Sequence, residues 1–465
     1  MAEEVFDVAF LGGGPAGYQG AIRAAQLGLK VAVIEARDLG GVCLNRGCIP
    51  TKTIKSSVDL LYRARKAKSY GLEIDSVQPD IKAIIGRKDK VVGLIRGGIN
   101  QLFRANGITL YEGRGRFLSR EVIEVDGGNG TTRIMAKKTV IATGSRPLLP
   151  GFFAGGKPGV LTTDDILNMS SIPQSLLIIG GGAVGVEMAS IMAELGSSVT
   201  LLEMQNRILP REDVEMVDYL TRMLKRQKIK IITGVSVNEV KPGEKVSLLL
   251  NNGQTLDGDA VLVAIGRSPN IEGIGLSDAD LDHKIGPLPV NDRMETAVPG
   301  IYAAGDVVGG WLLAHVAFAE GIVAAENAAG MDSRMDYRVI PRCIFSIPEY
   351  GSVGLSEEEA KDCYSTRVAS FPFKTLGMAQ AMGEWEGLTK LIVHKETGQI
   401  LGGHIIGPHA SDLIAEIALA MRHGIPVKGI VDTIHTHPTL SEAVLETAQA
   451  ACGQAIHILP TKGDK

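Results

Sequence analysis

The feature that most constrains this chain is a local pattern of strand, glycine loop, helix and strand that occurs twice. In each copy a short apolar run predicts a buried strand, a helical stretch follows the glycines, and the next strand ends in an acid. The glycines and acids are Gly12, Gly14, Gly17 and Glu35 in the first unit (residues 6–35), and Gly180, Gly182, Gly185 and Glu203 in the second unit (176–203). This spacing predicts two Rossmann-like βαβ units.

Each unit has the chemistry of a dinucleotide site. Glycines permit a tight turn and a close approach of the backbone to a pyrophosphate, and the helix N-terminus supplies free N–H groups and partial positive charge. The terminal acid is placed to accept a hydrogen bond from a ribose. Glu203 favours NAD, because a carboxylate there repels a 2′-phosphate, whereas Arg207 nearby leaves NADP open as an alternative.

A close cysteine pair follows the first unit. The stretch Gly40–Lys52 reads GGVCLNRGCIPTK, and Cys43 and Cys48 in it are two of only 5 cysteines in the chain. A disulfide that exchanges electrons with a cofactor must touch it. We therefore predict that the pair is redox-active, that the first unit holds a flavin, and that the second unit, with no redox residue beside it in the sequence, holds the nicotinamide nucleotide.

Other interpretations of the pair remain open from the residues alone. Cys43 and Cys48 could be two buried thiols, or a structural disulfide, which is rare in the cytoplasm. They could also bind zinc together with His435 and His437, although C-x4-C is wider than the usual close pair of zinc ligands.

Two further segments carry candidate functional residues. In the stretch 434–442, IHTHPTLSE, His437 and Glu442 suggest a base held by an orienting carboxylate, while His435 is interpreted as structural. A thiol that attacks a disulfide needs such a base, since the thiolate is the nucleophile. The predicted strand at 300–306 delivers Asp306 at its C-terminal end, where ligands of such folds bind. Lys52 and Glu187 read from the sequence alone as ordinary helix-surface charges.

The length, net charge and apolar content of the sequence exclude several classes of protein. At 465 residues the chain is long enough for about three domains. The formal net charge of −4 gives no basic footprint for nucleic acid, and no apolar run is long enough to span a membrane. The N-terminus lacks the basic start of a secretory signal, so we expect a cytoplasmic location. The predicted domains are 1–148, 149–270, 271–336 and 337–465, the first and third forming one flavin domain.

Taken together, the motifs make the sequence resemble the flavoprotein disulfide reductases over nearly its whole length. The motifs are GGGPAG at 12–17, GGVCLNRGCIPTK at 40–52, GGGAVGVE at 180–187, GR-x-PN at 266–270, AAGD at 303–306 and HTHPTLSE at 435–442. The resemblance implies an α/β chain with two Rossmann-like dinucleotide-binding domains and a C-terminal α+β dimerisation domain. It also implies FAD and NAD as cofactors and an obligate homodimer.

The resemblance also implies roles for the redox residues. Cys43 would exchange with the substrate, and Cys48 would lie against the flavin as a charge-transfer thiolate. Lys52 and Glu187 would pair near the flavin N5. His437, with Glu442, would be the acid–base residue and would serve the disulfide of the partner subunit, and the peptide bond between His437 and Pro438 would be cis.

By the same resemblance, two sets of residues would hold the cofactors. The FAD set is Gly12, Gly14, Gly17, Glu35, Lys52, Gly115, Thr143, Gly144, Asp306 and Ala314. The NAD set is Gly180, Gly182, Gly185, Glu187, Glu203 and Gly266. Neither set includes a metal ligand.

Within this family, the match points to an enzyme that oxidises protein-bound dihydrolipoyl groups with NAD. Its partners would be lipoyl domains of 2-oxo-acid dehydrogenase complexes or of the glycine cleavage system. One alternative is a reductase of another disulfide or of mercuric ion. Glutathione-type relatives have arginines near Glu203, and mercuric reductases have a C-terminal cysteine pair where this chain has only Cys452. The non-enzymatic alternative is a nucleotide-binding or zinc-stapled interaction protein.

Overall fold

The computed structural model describes residues 4–128, 130–153 and 157–458. The first region (4–147) holds a parallel sheet core with four helices. Its elements are β1 (Glu4–Leu11), α1 (Pro15–Gln26), β2 (Val31–Glu35), α2 (Gly41–Arg46), α3 (Cys48–Arg65), α4 (Ile81–Ala105), β3 (Thr109–Glu112), β4 (Arg114–Phe117), β5 (Val122–Gly127), β6 (Gly130–Ile141) and β7 (Ser145–Pro147).

The sheet of the first region has the order β3-β2-β1-β6-β5-β4. Strands β3, β2, β1 and β6 run parallel, and β5 and β4 turn back as antiparallel neighbours. The sequence VAVIE of β2 is buried at its first four positions, because helices and connecting strands cover both faces of a parallel sheet. The first βαβ unit is therefore built as the glycine spacing predicts.

The second region (160–263) repeats this architecture. Its elements are β8 (Val160–Leu161), α5 (Thr163–Ile166), β9 (Ser175–Ile179), α6 (Ala183–Glu194), β10 (Ser198–Glu203), α7 (Val214–Arg226), β11 (Lys230–Thr233), β12 (Val237–Lys241), β13 (Val246–Leu250), β14 (Thr255–Gly258) and β15 (Ala260–Val263). A parallel sheet has the order β11-β10-β9-β15-β8, and β12-β13-β14 form a separate antiparallel sheet.

The chain then returns to the first sheet. The elements of this return are β16 (Arg267–Pro269), β17 (Ile301–Ala303) and α8 (Ala314–Ala328). Strand β16 pairs antiparallel with β7, so the outgoing and returning segments form a two-stranded ribbon. Strand β17 then pairs with β6 and completes the first sheet. As a result, the C-terminal end of β17 lies at the same sheet edge as the first glycine loop.

The C-terminal region (342–451) has a different architecture. Its elements are β18 (Arg342–Ile344), β19 (Glu349–Gly354), α9 (Glu357–Cys363), β20 (Thr366–Pro372), α10 (Gly377–Ala381), β21 (Leu388–His394), β22 (Ile400–Gly407), α11 (Ala410–Arg422), α12 (Val427–Asp432) and α13 (Glu442–Ala451). The five strands form an antiparallel sheet in the order β18-β19-β22-β21-β20. Of the helices in the described residues, none combines the length and apolar character needed to cross a bilayer.

One apolar cluster joins the three regions next to the helix that begins at Cys48. It contains Ile54 and Val58 of α3, Val186 of α6, and Ile344 and Tyr350 of the C-terminal sheet. Burying these side chains together fixes α3 against both later regions. The predicted α/β class is confirmed, with two Rossmann-like units and a C-terminal α+β unit.

Candidate redox and dinucleotide sites

The first glycine loop is a tight turn that tolerates no larger residue at two positions. Gly12 has a φ of +115°, and a Cβ there would lie 2.3 Å from the Ala142 carbonyl oxygen. A Cβ on Gly17 would lie 1.9 Å from the Gly12 carbonyl oxygen. The backbone N–H of Gly13 donates to Glu35 Oε2 at 2.8 Å. The acid at the end of β2 therefore holds the glycine loop itself.

The second loop has the same construction. Gly180 has a φ of +104°, and a Cβ on Gly185 would lie 1.8 Å from the Gly180 carbonyl oxygen. The N–H of Gly181 donates to Glu203 Oε2 at 2.6 Å, and the N–H of Gln205 donates to Glu203 Oε1 at 2.7 Å. The sequence analysis did not foresee these loop contacts. A carboxylate has about four acceptor positions, so it can bond a ribose as well.

The start of each following helix fits a pyrophosphate. Gly14 and Gly182 are the N-cap residues of α1 and α6, and neither helix start has a side-chain cap. A Cβ on Gly14 would have only the Gly41 Cα nearby, at 3.8 Å, and one on Gly182 would meet no atom within 4 Å. A helix N-terminus with uncapped N–H groups and open space beside its N-cap residue is suited to bind a phosphate. Arg207, the residue that kept NADP open, donates to the Pro210 carbonyl oxygen.

The cysteine loop packs directly on the first glycine loop. The N–H of Gly40 donates to the Gly13 carbonyl oxygen at 2.8 Å. Gly41 has a φ of +61°, and a Cβ there would lie 2.6 Å from the Gly14 Cα. This contact supports assigning the flavin to the first unit, because whatever the first loop holds lies beside the cysteine loop.

Cys43 on α2 and Cys48 at the start of α3 are thiols in hydrogen-bond contact with each other. The hydrogen bond from Cys43 lowers the pKa of Cys48 to about 7; burial opposes this shift and the Lys52 ammonium assists it. The same hydrogen bond, together with burial, raises the pKa of Cys43. In the reduced pair, both shifts favour ionisation of Cys48 over ionisation of Cys43.

Lys52 and Glu187 form an ion pair between α3 and α6. Lys52 Nζ lies 3.0 Å from Glu187 Oε2 and 3.2 Å from Oε1, and Glu187 is 6% exposed. The interpretation of Glu187 as a surface charge is therefore wrong, because packing of α6 against α3 buries it. The second unit thus reaches the redox centre, although no redox residue stands beside it in the sequence.

A residue of the C-terminal region that the sequence analysis missed, Phe345, contacts both Lys52 and Glu187. The N–H of Phe345 donates to Glu187 Oε1 at 2.9 Å, and the centre of its ring lies 4.1 Å from Lys52 Nζ. No local pattern around Phe345 distinguishes it from other apolar positions near the end of a strand. Only its placement after β18, against α3 and α6, reveals the contact.

A second lysine on α3 is also bonded across a region boundary. Lys55 Nζ lies 2.9 Å from Asp59 Oδ2 and 3.2 Å from Glu349 Oε1 on β19. The helix that begins with Cys48 is therefore tied to the second region through Lys52 and to the C-terminal region through Lys55.

Asp306 follows the C-terminal end of β17, at the first position of a short 3-10 helix, and has two partners that the sequence did not indicate. Ser145 Oγ donates to Asp306 Oδ2 at 2.5 Å, and Arg267 Nε lies 3.6 Å from the same oxygen. Arg267 Nε also donates to Ser145 Oγ at 2.6 Å. The ribbon of β7 and β16 therefore places a cation next to Asp306.

Three further residues of the predicted FAD set, Thr143, Gly115 and Ala314, lie at structurally different positions. Thr143 Oγ1 donates to the Asn270 carbonyl oxygen at 2.7 Å, so this hydroxyl holds the returning segment. A Cβ on Gly115 would lie 2.4 Å from Leu11 Cδ1, which makes glycine a packing requirement in β4. Ala314 is the first residue of α8.

Two glycines of the predicted sets lie beside the β7–β16 ribbon. Gly144 has a φ of +70° and Gly266 a φ of +138°. A Cβ on either would meet no atom within 4 Å, so the positive φ and not crowding explains glycine at both positions.

His437 and Glu442 are hydrogen-bonded on the C-terminal region. His437 Nδ1 lies 2.8 Å from Glu442 Oε1, and the His437 side chain is 77% exposed. Burial alone would raise the pKa of Glu442, but hydrogen bonds from His437 and from the Thr439 N–H outweigh it and lower that pKa. The peptide bond between His437 and Pro438 is cis, which confirms the prediction.

His435 has a different environment. Its Nε2 lies 2.8 Å from Glu416 Oε1, and its side chain is 5% exposed, which confirms the structural interpretation. Within the ranges that the structure describes, no three or more His, Cys, Asp and Glu side chains are grouped so that they could hold a metal ion.

Comparison with known families agrees with this geometry. Residues 6–321 match the model of the pyridine nucleotide-disulphide oxidoreductases, and residues 340–448 match the dimerisation domain of the same family. The chain belongs to this family. Its members use FAD and NAD, so the predicted flavoprotein class and the two cofactors are confirmed.

Relatives in this family align over almost the entire chain. The dihydrolipoyl dehydrogenase of Bacillus subtilis is 43% identical, covering 98% of this chain and 100% of the relative. That of Thermus scotoductus is 42% identical, with 98% and 99% covered.

Solved structures of the family superpose closely. LpdA from Mycobacterium tuberculosis has a TM-score of 0.90 at 27% identity, covering 96% of this chain and 99% of that one. The HOCl-induced flavoprotein disulfide reductase RclA from Escherichia coli, in its Cu(II) complex, has a TM-score of 0.87 at 29% identity, with 97% and 100% covered.

Proposed function

We propose that this chain is a dihydrolipoyl dehydrogenase, which oxidises protein-bound dihydrolipoyl groups to lipoyl groups with NAD as the final electron acceptor. The observation that carries the proposal is the position of the Cys43–Cys48 pair. The loop that carries the pair packs on the first glycine loop through Gly40. Lys52, on the helix that begins at Cys48, forms an ion pair with Glu187 on the helix of the second unit. The full-length likeness to dihydrolipoyl dehydrogenases supports the choice of substrate.

The cysteines perform a thiol–disulfide exchange. One thiolate of the substrate attacks Cys43 Sγ of the Cys43–Cys48 disulfide, the S–S bond breaks, and Cys48 leaves as a thiolate. The second substrate thiol loses its proton and attacks the substrate sulfur of this mixed disulfide, which closes the lipoyl disulfide and releases Cys43. The substrate loses two electrons and two protons, and the cysteine pair gains the electrons. The low pKa of Cys48 suits it as the leaving group.

His437 accepts the proton of the substrate thiol in this scheme. Glu442 bonds its Nδ1, so the neutral ring carries the proton on Nδ1 and keeps Nε2 free as the acceptor. The exposure of His437 and the match to a dimerisation domain support an arrangement in which it serves the disulfide of a second copy.

Two groups of residues would hold the cofactors. FAD would be held by Gly12, Gly14, Gly17, Glu35, Lys52, Gly115, Thr143, Gly144, Asp306 and Ala314. NAD would be held by Gly180, Gly182, Gly185, Glu187, Glu203 and Gly266. Bound FAD supplies two-electron redox chemistry between the dithiol and the nicotinamide.

The domain boundaries and partners are part of the proposal. The chain divides at 148/149, 270/271 and 336/337, and the last domain forms the homodimer. The lipoyl domains of 2-oxo-acid dehydrogenase complexes or of the glycine cleavage system would present the substrate in the cytoplasm.

The test is the reaction itself. The purified protein with bound flavin is mixed with dihydrolipoamide and NAD, and NADH formation is followed by absorbance. We expect turnover, and we expect none from C43S. Absence of NADH formation, or faster NADH-driven reduction of glutathione disulfide or mercuric ion than of lipoamide, would contradict the proposal.

A further inference from the structure

The contact of Phe345 with the Lys52–Glu187 pair is formed by residues from three parts of the chain. Lys52 lies on α3, Glu187 on α6, and Phe345 directly follows β18. The two carboxylate oxygens of Glu187 accept from Lys52 Nζ, and Oε1 also accepts from the Phe345 N–H. The ring of Phe345 covers a further side of the ammonium group.

This arrangement gives stabilising partners to both the Glu187 carboxylate and the Lys52 ammonium. Glu187 is nearly fully buried, and a buried carboxylate requires several hydrogen bonds in addition to its ion-pair partner. The Lys52 side chain is 32% exposed, so water competes for its ammonium. An aromatic face within about 6 Å attracts a cation electrostatically, and the attraction grows as water is excluded.

We propose that Phe345 is a positioning residue of the redox centre: its ring holds Lys52, and its backbone N–H holds Glu187. The C-terminal region thereby sets the charges beside Cys48 of the same chain. This inference rests on the proposed function only in giving Cys48 its role in the reaction.

The position of Lys52 connects this contact to the thiols. Lys52 follows Cys48 by four residues on α3, which is about one helical turn. Lys52 lowers the pKa of Cys48 more than Glu187 raises it. If the ring is lost, water reaches the ammonium and screens it, so its net attraction for the Cys48 thiolate weakens.

The test measures ionisation of Cys48 in a C43S background, where the pair cannot close. F345L removes the ring and keeps the backbone N–H, whereas F345Y keeps both. The pH dependence of the alkylation rate of Cys48 is measured in the flavin-containing protein. We expect F345L to raise the midpoint by about half a pH unit, a roughly threefold loss of thiolate, and F345Y to leave it unchanged.

A matched control separates positioning from loss of stability. F371L removes a buried ring from β20 of the same sheet, and we expect it to lower the melting temperature without moving the midpoint. An unmoved midpoint in F345L, or an equal shift in F371L, would overturn the inference; if F345L does not fold, F345M makes the same comparison. Because the assay contains neither substrate nor NAD, failure of the proposed turnover would leave this result intact.

Discussion

Glu442 Oε1 lies 2.8 Å from His437 Nδ1, and both residues come from one short segment at the start of α13. The carboxylate is hydrogen-bonded to Nδ1 and so orients the ring. We expect E442Q to lower kcat for dihydrolipoamide oxidation by about 10- to 100-fold, because an amide can donate to Nδ1 as well as accept from it and no longer fixes the orientation and tautomer of the ring. Steady-state kinetics with dihydrolipoamide and NAD measure the effect.

The control for this variant is E416Q, which removes the carboxylate partner of His435. That pair lies outside the proposed machinery, so kcat should stay within about twofold of the unmodified protein. Equal losses in the two variants would show that the His437–Glu442 bond has no special role.

Mixed dimers test whether His437 serves the second copy. Chains carrying C43S alone and H437Q alone are co-expressed with different tags, and the mixed dimer is isolated. If the histidine acts across the interface, one site of this dimer has an intact disulfide and an intact histidine, and activity returns to about half that of the unmodified dimer.

The reciprocal mixture provides the control. A dimer of an unmodified chain with a C43S/H437Q chain has no complete site if the histidine acts across the interface. It keeps one complete site if the histidine acts within its own chain. Activity in this second mixture and none in the first would contradict the proposed arrangement.

Substituting the N-cap glycine of α1 or of α6 should weaken the binding of one nucleotide and leave the other bound. Gly14 and Gly182 have backbone angles that alanine adopts, and an added Cβ at either would crowd no neighbour. We expect G14A to lose bound flavin, and G182A to keep it while its NAD dissociation constant rises by at least about tenfold, or about 1.4 kcal/mol. Flavin absorbance and NAD titration measure the two effects.

The matched control is G86A on the exposed side of α4, where a Cβ also meets no atom within 4 Å. It should leave both nucleotides bound and should slightly stabilise the helix. Loss of flavin from G182A would mean that the two nucleotides are assigned to the wrong units.

A fully buried histidine predicts that stability depends on pH. His404 on β22 contacts Tyr350 and the Leu355 carbonyl oxygen, with the acids Glu212 and Asp213 nearby. Burial lowers the pKa of His404, which the nearby acids only partly offset, so the unfolded chain binds a proton at a higher pH than the folded chain. Stability is therefore complete above the unfolded pKa of about 6.5 and falls as the pH drops below it, by at most about 1.4 kcal/mol per pH unit.

Thermal unfolding between about pH 5 and pH 7 measures this slope. H404Q cannot take up the proton, so its melting temperature should be lower at neutral pH but should change less over this range. An identical slope in H404Q would mean that other groups control the acid sensitivity.

Local spacing was sufficient to predict much of this molecule. The two glycine loops and the helices that follow them depend on backbone angles within a few residues, so sequence patterns report them directly. The two Rossmann-like units followed because the strands of each unit, β1 with β2 and β9 with β10, pair with each other over a short stretch of sequence. The cis bond at His437–Pro438 was predicted only through resemblance to a family.

Contacts between distant segments could not be predicted in this way. Lys52 and Glu187 are 135 positions apart, and a charge near a helix start is usually solvent-exposed. Phe345 and Arg267 make their contacts only because one region packs on another. The spacing of neighbouring residues in the sequence does not reveal such packing. The loop contact of Glu35 was missed because the expected ligand was a ribose, although its carboxylate accepts from the N–H groups of Gly13 and Arg37.

Two lysines of α3 limit how the regions of this chain can be exchanged with those of a relative. Lys52 pairs with Glu187 from the second region, and Lys55 pairs with Glu349 from the C-terminal region as well as with Asp59 of its own helix. Recombination that replaces either region with a homologue preserves these contacts only if the incoming segment carries the matching carboxylate. The three regions are therefore expected to evolve as one unit, and chimeras of distant relatives should fail first at these two ion pairs.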